Sequence, residues 1–272
     1  MSHATLNHMF GGLTSLKPSS GNDLGERMLN SVASQSIRHL FTSSESVEVF
    51  IRCNPSSKLL QGTIDSFKMY GRTLVIRRDF LVEEMSFETD AVSIDPGSVL
   101  GGKLRLRQPT QAVAKVTLSE AGINKAFTSE LVRQHMVNLT LEVLTNLSGG
   151  EPVSFRDVHL TLLSDNQVKI EAKTDLPNRQ DVPISLRCTV AVEKRRRICF
   201  NDPIFEPEGI PADVQGLSEI VTMAFADVLN GMVDLDRFDL DGVLLRINRL
   251  ETHDKMLVFT GYAQIERFPG TR

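Results

Sequence analysis

Short stretches in which apolar and polar residues alternate run through most of the chain. Successive side chains of a β-strand point to opposite faces of a sheet, so this period of two predicts half-buried strands. The strand-like stretches are residues 47–53, 59–70, 72–78, 80–94, 103–107, 110–118, 138–147, 153–163, 167–174, 184–200, 238–250 and 255–267.

Glycine, proline and charged residues mark the predicted turns. Gly71 separates two predicted strands of a hairpin, and the Asp-Pro-Gly at 95–97 combines residues that favour turns. The Gly-Gly pair at 149–150 reverses the chain, the charged run 193–197 is a break between strands, and residues 253–254 join the last two strands. The strands are therefore expected to form antiparallel meanders.

Three segments instead repeat their apolar residues at helical spacing. The first is 23–41, and the second is 120–135, which Ser119 is placed to cap. The third is 214–232, with Asp213 as its predicted cap. At 1.5 Å per residue this last helix is expected to be about 28 Å long.

Many strands with few helices predict an α+β fold in which antiparallel meanders pack on helices. The Ser-, Gly- and His-containing residues 1–22 predict a loose tail. No Pro/Ser-rich linker divides the rest of the 272 residues, so residues 23–272 are expected to form a single unit.

Composition removes several classes of function. A net charge of -4, two Tyr and no Trp argue against nucleic-acid binding. Three Cys without a C-x-x-C spacing fit a reducing compartment. The N-terminal residues lack the pattern of a secretory signal, and no apolar run reaches about 18 residues. We therefore expect a cytoplasmic protein without a transmembrane segment.

The familiar catalytic motifs are missing from the sequence, and the six His have no metal-ligand spacing. We expect no catalytic residue, no metal and no cofactor. The acidic segment 234–241 faintly resembles a calcium loop, but that register puts Arg237 at position one and Asn248 at position twelve. A half-solvated strand is the simpler interpretation, and a lipid or glycan enzyme using this segment remains an alternative.

The segment G-G-K-L-R-L-R at 101–107 places three cations at alternate positions. In a strand Lys103, Arg105 and Arg107 share one face, while Leu104 and Leu106 share the other. Charges of this kind protect the edge of a sheet, or they bind an anionic lipid headgroup. The consecutive cations at 194–197 are instead interpreted as a solvated turn.

Several segments together resemble the LmeA-like phospholipid-binding family. They are S-K-L-L-Q-G-T-I-D-S-F at 57–67, the G-K-L-R-L-R-Q-P strand at 102–109 and the S-E-A-G-I-N-K-A-F helix start at 119–127. The closing strand G-Y-A-Q-I-E-R-F-P at 261–269 also matches the family's pattern. The resemblance covers most of residues 45–269, and each motif is weak alone but specific in combination.

The resemblance implies a half-barrel similar to the tubular lipid-binding folds. A highly curved antiparallel sheet would wrap around a long helix, supplied here by 214–232, and lipid tails would lie in an apolar groove. The headgroup candidates are then Lys103, Arg105 and Arg107. The groove candidates are Leu104, Leu106, Ala112, Ala114, Val116, Leu217, Val221, Phe225 and Val228.

The function expected from this resemblance is non-enzymatic binding of a phospholipid or another anionic lipid. It would serve lipid binding or transfer, or maintenance of a membrane or envelope, with the protein peripheral at the membrane surface. Envelope members carry a signal or anchor that this sequence does not show, which favours the cytoplasm. The alternative is a structural or interaction module with a filled core. The sequence sets neither the lipid nor the oligomeric state.

Overall fold

The computed structural model describes residues 24–38, 41–55, 57–76, 80–101, 105–237 and 242–267. The predicted tail at 1–22 lies outside them. The helices are α1 Leu24–Arg38, α2 Ser57–Leu60, α3 Pro96–Leu100, α4 Glu120–Phe127, α5 Glu130–Arg133, α6 Glu142–Leu147 and α7 Gln215–Met232, followed by a 3-10 turn at Leu235–Arg237.

Twelve described strands confirm the α+β class. They are β1 Ser46–Arg52, β2 Thr63–Ile64, β3 Ser66–Ile76, β4 Phe80–Thr89, β5 Val92–Ser93, β6 Thr110–Ser119, β7 Phe155–Leu162, β8 Gln167–Leu176, β9 Arg179–Glu193, β10 Arg197–Phe205, β11 Val243–His253 and β12 Met256–Ile265.

These strands form two large antiparallel sheets and one small pair. The six-stranded sheet has the order β1-β3-β4-β6-β12-β11, the four-stranded sheet has the order β10-β9-β8-β7, and β2 pairs with β5. Both large sheets are open, with β1 and β11 at the edges of the first. The predicted meanders are thus confirmed, although they divide between separate sheets.

The register of the six-stranded sheet gives it one apolar and one mixed face. We call the apolar side its inner face; a row of paired residues crosses it from β1 to β11: Val49, Met69, Phe87, Ala114, Gly261 and Ile247. We call the opposite side its outer face, and the neighbouring row there is Phe50, Lys68, Glu88, Val113, Tyr262 and Arg246.

The long helix α7 packs on the four-stranded sheet. It contacts β9 and β10, and its Phe225 ring lies 4.6 Å from that of Phe155 on β7. The hydroxyl of Ser218 on α7 also bonds the carbonyl of Pro183. A single curved sheet wrapped around this helix, as the resemblance implied, is not shown. No helix in the described ranges is long and apolar enough to cross a membrane.

Two turns of the four-stranded sheet attach it to the edge strand β11. The side chain of Asn166 donates to the carbonyl of Leu250 at 3.1 Å and accepts from the amide of Thr252 at 2.9 Å. In the β9–β10 turn, the carbonyl of Arg195 accepts from the amide of Ile247 at 2.7 Å. One apolar core contains side chains from both sheets.

Several predicted boundaries were wrong because contacts between distant strands override local signals. Gly71 is not a turn: it lies inside β3, paired with Val47 and Met85. Residues 142–147 form α6 instead of a strand. The Asp-Pro-Gly at 95–97 begins the short helix α3. By contrast, Gly149 and Gly150 do turn the chain, with φ of 70° and 97°.

The helix predictions were correct in place but not in every detail. Ser119 caps α4 as expected, since its hydroxyl accepts from the amide of Gly122 at 3.0 Å. The predicted segment 120–135 is divided into α4 and α5. Asp213 makes no cap for α7, and its carboxylate instead pairs with Arg179 at 2.8 Å.

Candidate functional site

A second, smaller apolar cluster lies on the inner face of the six-stranded sheet, apart from the main core. Its buried members are Ala112 and Ala114 of β6 with Ala263 and Ile265 of β12. We call these four residues the alanine cluster. The cluster has little side-chain volume, because three of its four side chains are single methyl groups. Partly buried apolar side chains surround it: Phe87, Leu106, Val243 and Leu245.

Strand register brings these small residues together. Ala112 pairs with Ala263, and Ala114 pairs with Gly261. Gly261 has no room for a larger residue, because a Cβ there would clash with the carbonyl oxygen of Arg246 on β11. The adjacent strand therefore approaches closely, and the sheet keeps a strip of low side-chain volume at this end.

The structure separates the predicted groove residues into two places. Leu106, Ala112 and Ala114 belong to the alanine cluster or its rim. Val116 is half-buried on the same face of β6 and packs against the main core. The four α7 candidates also lie in or against the main core: Leu217, Val221, Phe225 and Val228. Leu104 lies outside the described residues.

Two of the three headgroup candidates flank the rim of the alanine cluster. Arg105 and Arg107 are exposed, whereas Leu106 between them is half-buried, so the expected alternation is present. The predicted strand is reduced to one bridge between Leu106 and Ile94. Lys103 lies outside the described residues.

Backbone bonds hold this segment in place. The carbonyl of Arg105 accepts from the amide of Asp95 at 2.8 Å, and the amide of Arg107 donates to the carbonyl of Ser93 at 3.0 Å. The Arg107 guanidinium also donates to the carbonyl of Gln61 at 3.2 Å. Within the described ranges neither arginine forms an ion pair with a carboxylate.

Comparison with family models decides which proteins this chain is related to. The model of LmeA-like phospholipid-binding proteins matches residues 21–262. The chain belongs to this family. Searches of curated proteins and of solved structures gave no match.

The residues of the alanine cluster and of its rim were only partly predicted from the sequence. Leu106, Ala112 and Ala114 were predicted, whereas the contributions of β4, β11 and β12 were missed. Those residues come from strands far apart in sequence, and the pairing register that joins them was unknown. The alternation in G-Y-A-Q-I at 261–265 was the available signal, because it places Ala263 and Ile265 on one face.

The acidic segment that suggested an enzyme is engaged in ion pairs. Asp234 and Asp236 both face Arg196, and Asp236 accepts from Arg246 at 2.7 Å. The hydrogen bond from Arg196 is the main reason that the pKa of Asp236 lies below its usual value. A carboxyl group held ionised in this way is a poor proton donor. The predicted strand here is a 3-10 turn at Leu235–Arg237, and Asp239 and Asp241 lie outside the described residues.

Proposed function

We propose that this member of the phospholipid-binding family holds acyl chains against the alanine cluster without chemically changing the lipid. The observation that carries the proposal is the strip of small buried side chains bordered by half-exposed apolar ones. Because Ala112, Ala114 and Ala263 are at most 6% exposed, an acyl chain at this site first contacts the half-exposed apolar side chains that border them, and it reaches the methyl groups where those side chains move apart. Burial of apolar surface is favourable by about 25 cal/mol per Å².

The headgroup belongs, in this proposal, beside Arg105 and Arg107. The two arginines flank Leu106, whose side chain lies at the rim, and consecutive Cα atoms are about 3.8 Å apart. A phosphate at this position meets two guanidinium groups that form no ion pair with another described residue. Lys103 precedes them in the sequence and adds to the same positive segment. The preferred lipid is therefore anionic.

The α7 residues have a different part in this proposal. Val221 and Phe225 are 0% exposed and belong to the main core, so in this proposal they stabilise the fold. A protein of this kind acts peripherally at the cytoplasmic surface of a membrane, and it supports transfer of lipid or maintenance of the bilayer.

The first experiment asks whether lipid accompanies the protein. The full chain is purified without detergent, extracted with organic solvent and analysed by mass spectrometry. Sedimentation with vesicles of phosphatidylcholine, with or without phosphatidylglycerol, is measured in parallel. We expect co-purified phospholipid and preferential binding to the vesicles that contain phosphatidylglycerol. Absence of both results would contradict the proposal.

The second experiment tests the two arginines. Arg105→Glu with Arg107→Glu is expected to weaken binding to anionic vesicles by about tenfold or more, because each surface cation contributes about 1 kcal/mol. The matched control is Arg52→Glu with Arg72→Glu, which makes the same change of net charge at two exposed residues of the outer face. If the control weakens binding equally, net charge and not the position of Arg105 and Arg107 governs it.

A further inference from the structure

A polar pocket of about 240 Å³ lies on the outer face of the six-stranded sheet. Its lining comes from three paired strands and from the β9–β10 turn, and consists of Gln111, Arg195, Arg246, Tyr262 and Gln264. Gln111 pairs with Gln264 and Arg246 pairs with Tyr262, so all four strand residues share one face. That face is opposite to Ala112 and Ala263.

The position of Arg195 is set by its surroundings. Its carbonyl is bonded to the amide of Ile247 on β11, and its guanidinium donates to Asn248 at 2.6 Å. The guanidinium carbon also lies 5.9 Å from the centre of the Tyr262 ring. Three separate contacts thus hold this arginine over the sheet, which reduces the conformational entropy lost when a ligand binds.

The pocket has an excess of hydrogen-bond donors and positive charge. Its lining contains two guanidinium groups, two side-chain amides and one phenol, and no carboxylate. Arg246 is partly neutralised by Asp236, which it shares with Arg196. Arg195 forms no ion pair with any carboxylate in the described ranges. A cation is therefore disfavoured in this pocket, and an anion with several acceptor oxygens is favoured.

We propose that this pocket binds the phosphate group of a phosphorylated molecule. Guanidinium groups recognise phosphate through parallel hydrogen bonds, and the pocket is lined by Arg195, which lies over the Tyr262 ring, and by Arg246, which pairs with Tyr262 across the strands. The amides of Gln111 and Gln264 supply further donors. Tyr262 is 44% exposed and offers its ring to the organic part of the ligand.

This pocket is separate from the proposed acyl-chain site. The sheet itself lies between them, because Gln111 and Gln264 point away from the face that carries their neighbours Ala112 and Ala263. The same phosphate chemistry has two sources, a soluble phosphate ester and a lipid headgroup at a bilayer surface. The inference does not depend on acyl-chain binding, and either source satisfies it.

Titration calorimetry at low ionic strength tests the soluble source with inorganic phosphate and glycerol 3-phosphate. Sedimentation with phosphatidylcholine vesicles that contain phosphatidic acid tests the lipid source. We expect Arg195→Gln to weaken binding by about tenfold in whichever assay is positive, since hydrogen bonds to charged groups are strong. The substitution keeps the backbone bond to Ile247, and an unchanged melting temperature verifies the fold.

The matched control is Arg249→Gln. Like Arg246 it lies on β11, but its side chain is 60% exposed, is paired with Glu251 and does not line the pocket. It is expected to leave binding unchanged, whereas Arg246→Gln is expected to weaken it as Arg195→Gln does. Saturation by soluble phosphate assigns the site to a soluble ester. Binding only to vesicles, with loss in Arg195→Gln, assigns it to a headgroup. Binding that does not depend on Arg195 in either assay overturns the proposal.

Discussion

The four-stranded sheet under α7 and the alanine cluster are both buried, yet their side chains differ in size. Under α7, Phe155 and Phe225 are in contact, and Ile184 and Leu186 are at most 2% exposed. In the alanine cluster, Ala112 and Ala263 are buried to the same degree but carry only methyl groups. The two regions are therefore buried to a similar degree, but each side chain under α7 removes more apolar surface from water than an alanine methyl group does.

This difference separates the stability of the fold from the proposed binding of lipid. A fully buried Phe or Leu side chain contributes about 1.5–3 kcal/mol through the hydrophobic effect, and a methyl group contributes far less. The region around α7 thus supplies more of the folding free energy. The alanine cluster supplies less, and half-exposed apolar side chains border it.

We call the tightly packed part of the core between α7 and the four-stranded sheet the filled region. Removal of a large side chain from it has the largest expected effect. Phe225→Ala leaves a cavity against Phe155, and we expect it to lower the free energy of unfolding by about 3–5 kcal/mol. Urea unfolding measures the loss. The control is Met223→Ala on the same helix, where the side chain is 36% exposed and a much smaller change is expected. Similar losses in both variants would show that α7 is not tightly packed.

The elements that could be predicted from the sequence are those with a local signal. Alternation identified most strands, and helical spacing identified α7, because these signals are local. Ser119 was recognised as a cap for the same reason. Gly71 was misread as a turn because its place inside β3 depends on Val47 and Met85 in other strands.

The candidate site was harder to predict than the elements that carry it. Ala112 and Ala114 were chosen because small residues leave room for a neighbour, but their partners on β12 depend on register. The division between the alanine cluster and the α7 residues depends on how strands distribute between sheets, and no local pattern specifies that. The polar pocket at Arg195 was missed because a turn of one sheet meets a strand of the other there.

A matched pair of enlargements compares the two regions directly. Ala172 on β8 is 5% exposed and Ala114 is 6% exposed. Ala172→Leu forces extra volume into a filled core and is expected to cost about 1–3 kcal/mol. Ala114→Leu is expected to cost less, because Phe87 beside it is only partly buried. Urea unfolding of both variants gives the two values.

The same pair separates stability from lipid binding. Ala114→Leu is expected to reduce the phospholipid recovered by solvent extraction, because the new side chain occupies the floor of the proposed site. Ala172→Leu is expected to leave that recovery unchanged in the folded fraction. Unchanged lipid in Ala114→Leu places the acyl chain elsewhere in the protein.

The smallest expected effect concerns Cys188, which lies in the filled region on β9 and is 3% exposed. Burial raises the pKa of this thiol from 9.0 to about 12. Between these values the unfolded chain loses a proton that the folded protein keeps, so rising pH favours unfolding and stability falls. We expect Cys188→Val to reduce the fall between about pH 8 and about pH 10 by about 1 kcal/mol. Urea unfolding at both values measures it. Cys199 on β10 is only half-buried and burial raises its pKa as well, so Cys199→Val is the comparison in which a smaller change is expected. An equal fall with and without Cys188 would mean that water reaches the thiol and that the core around it is not tightly packed.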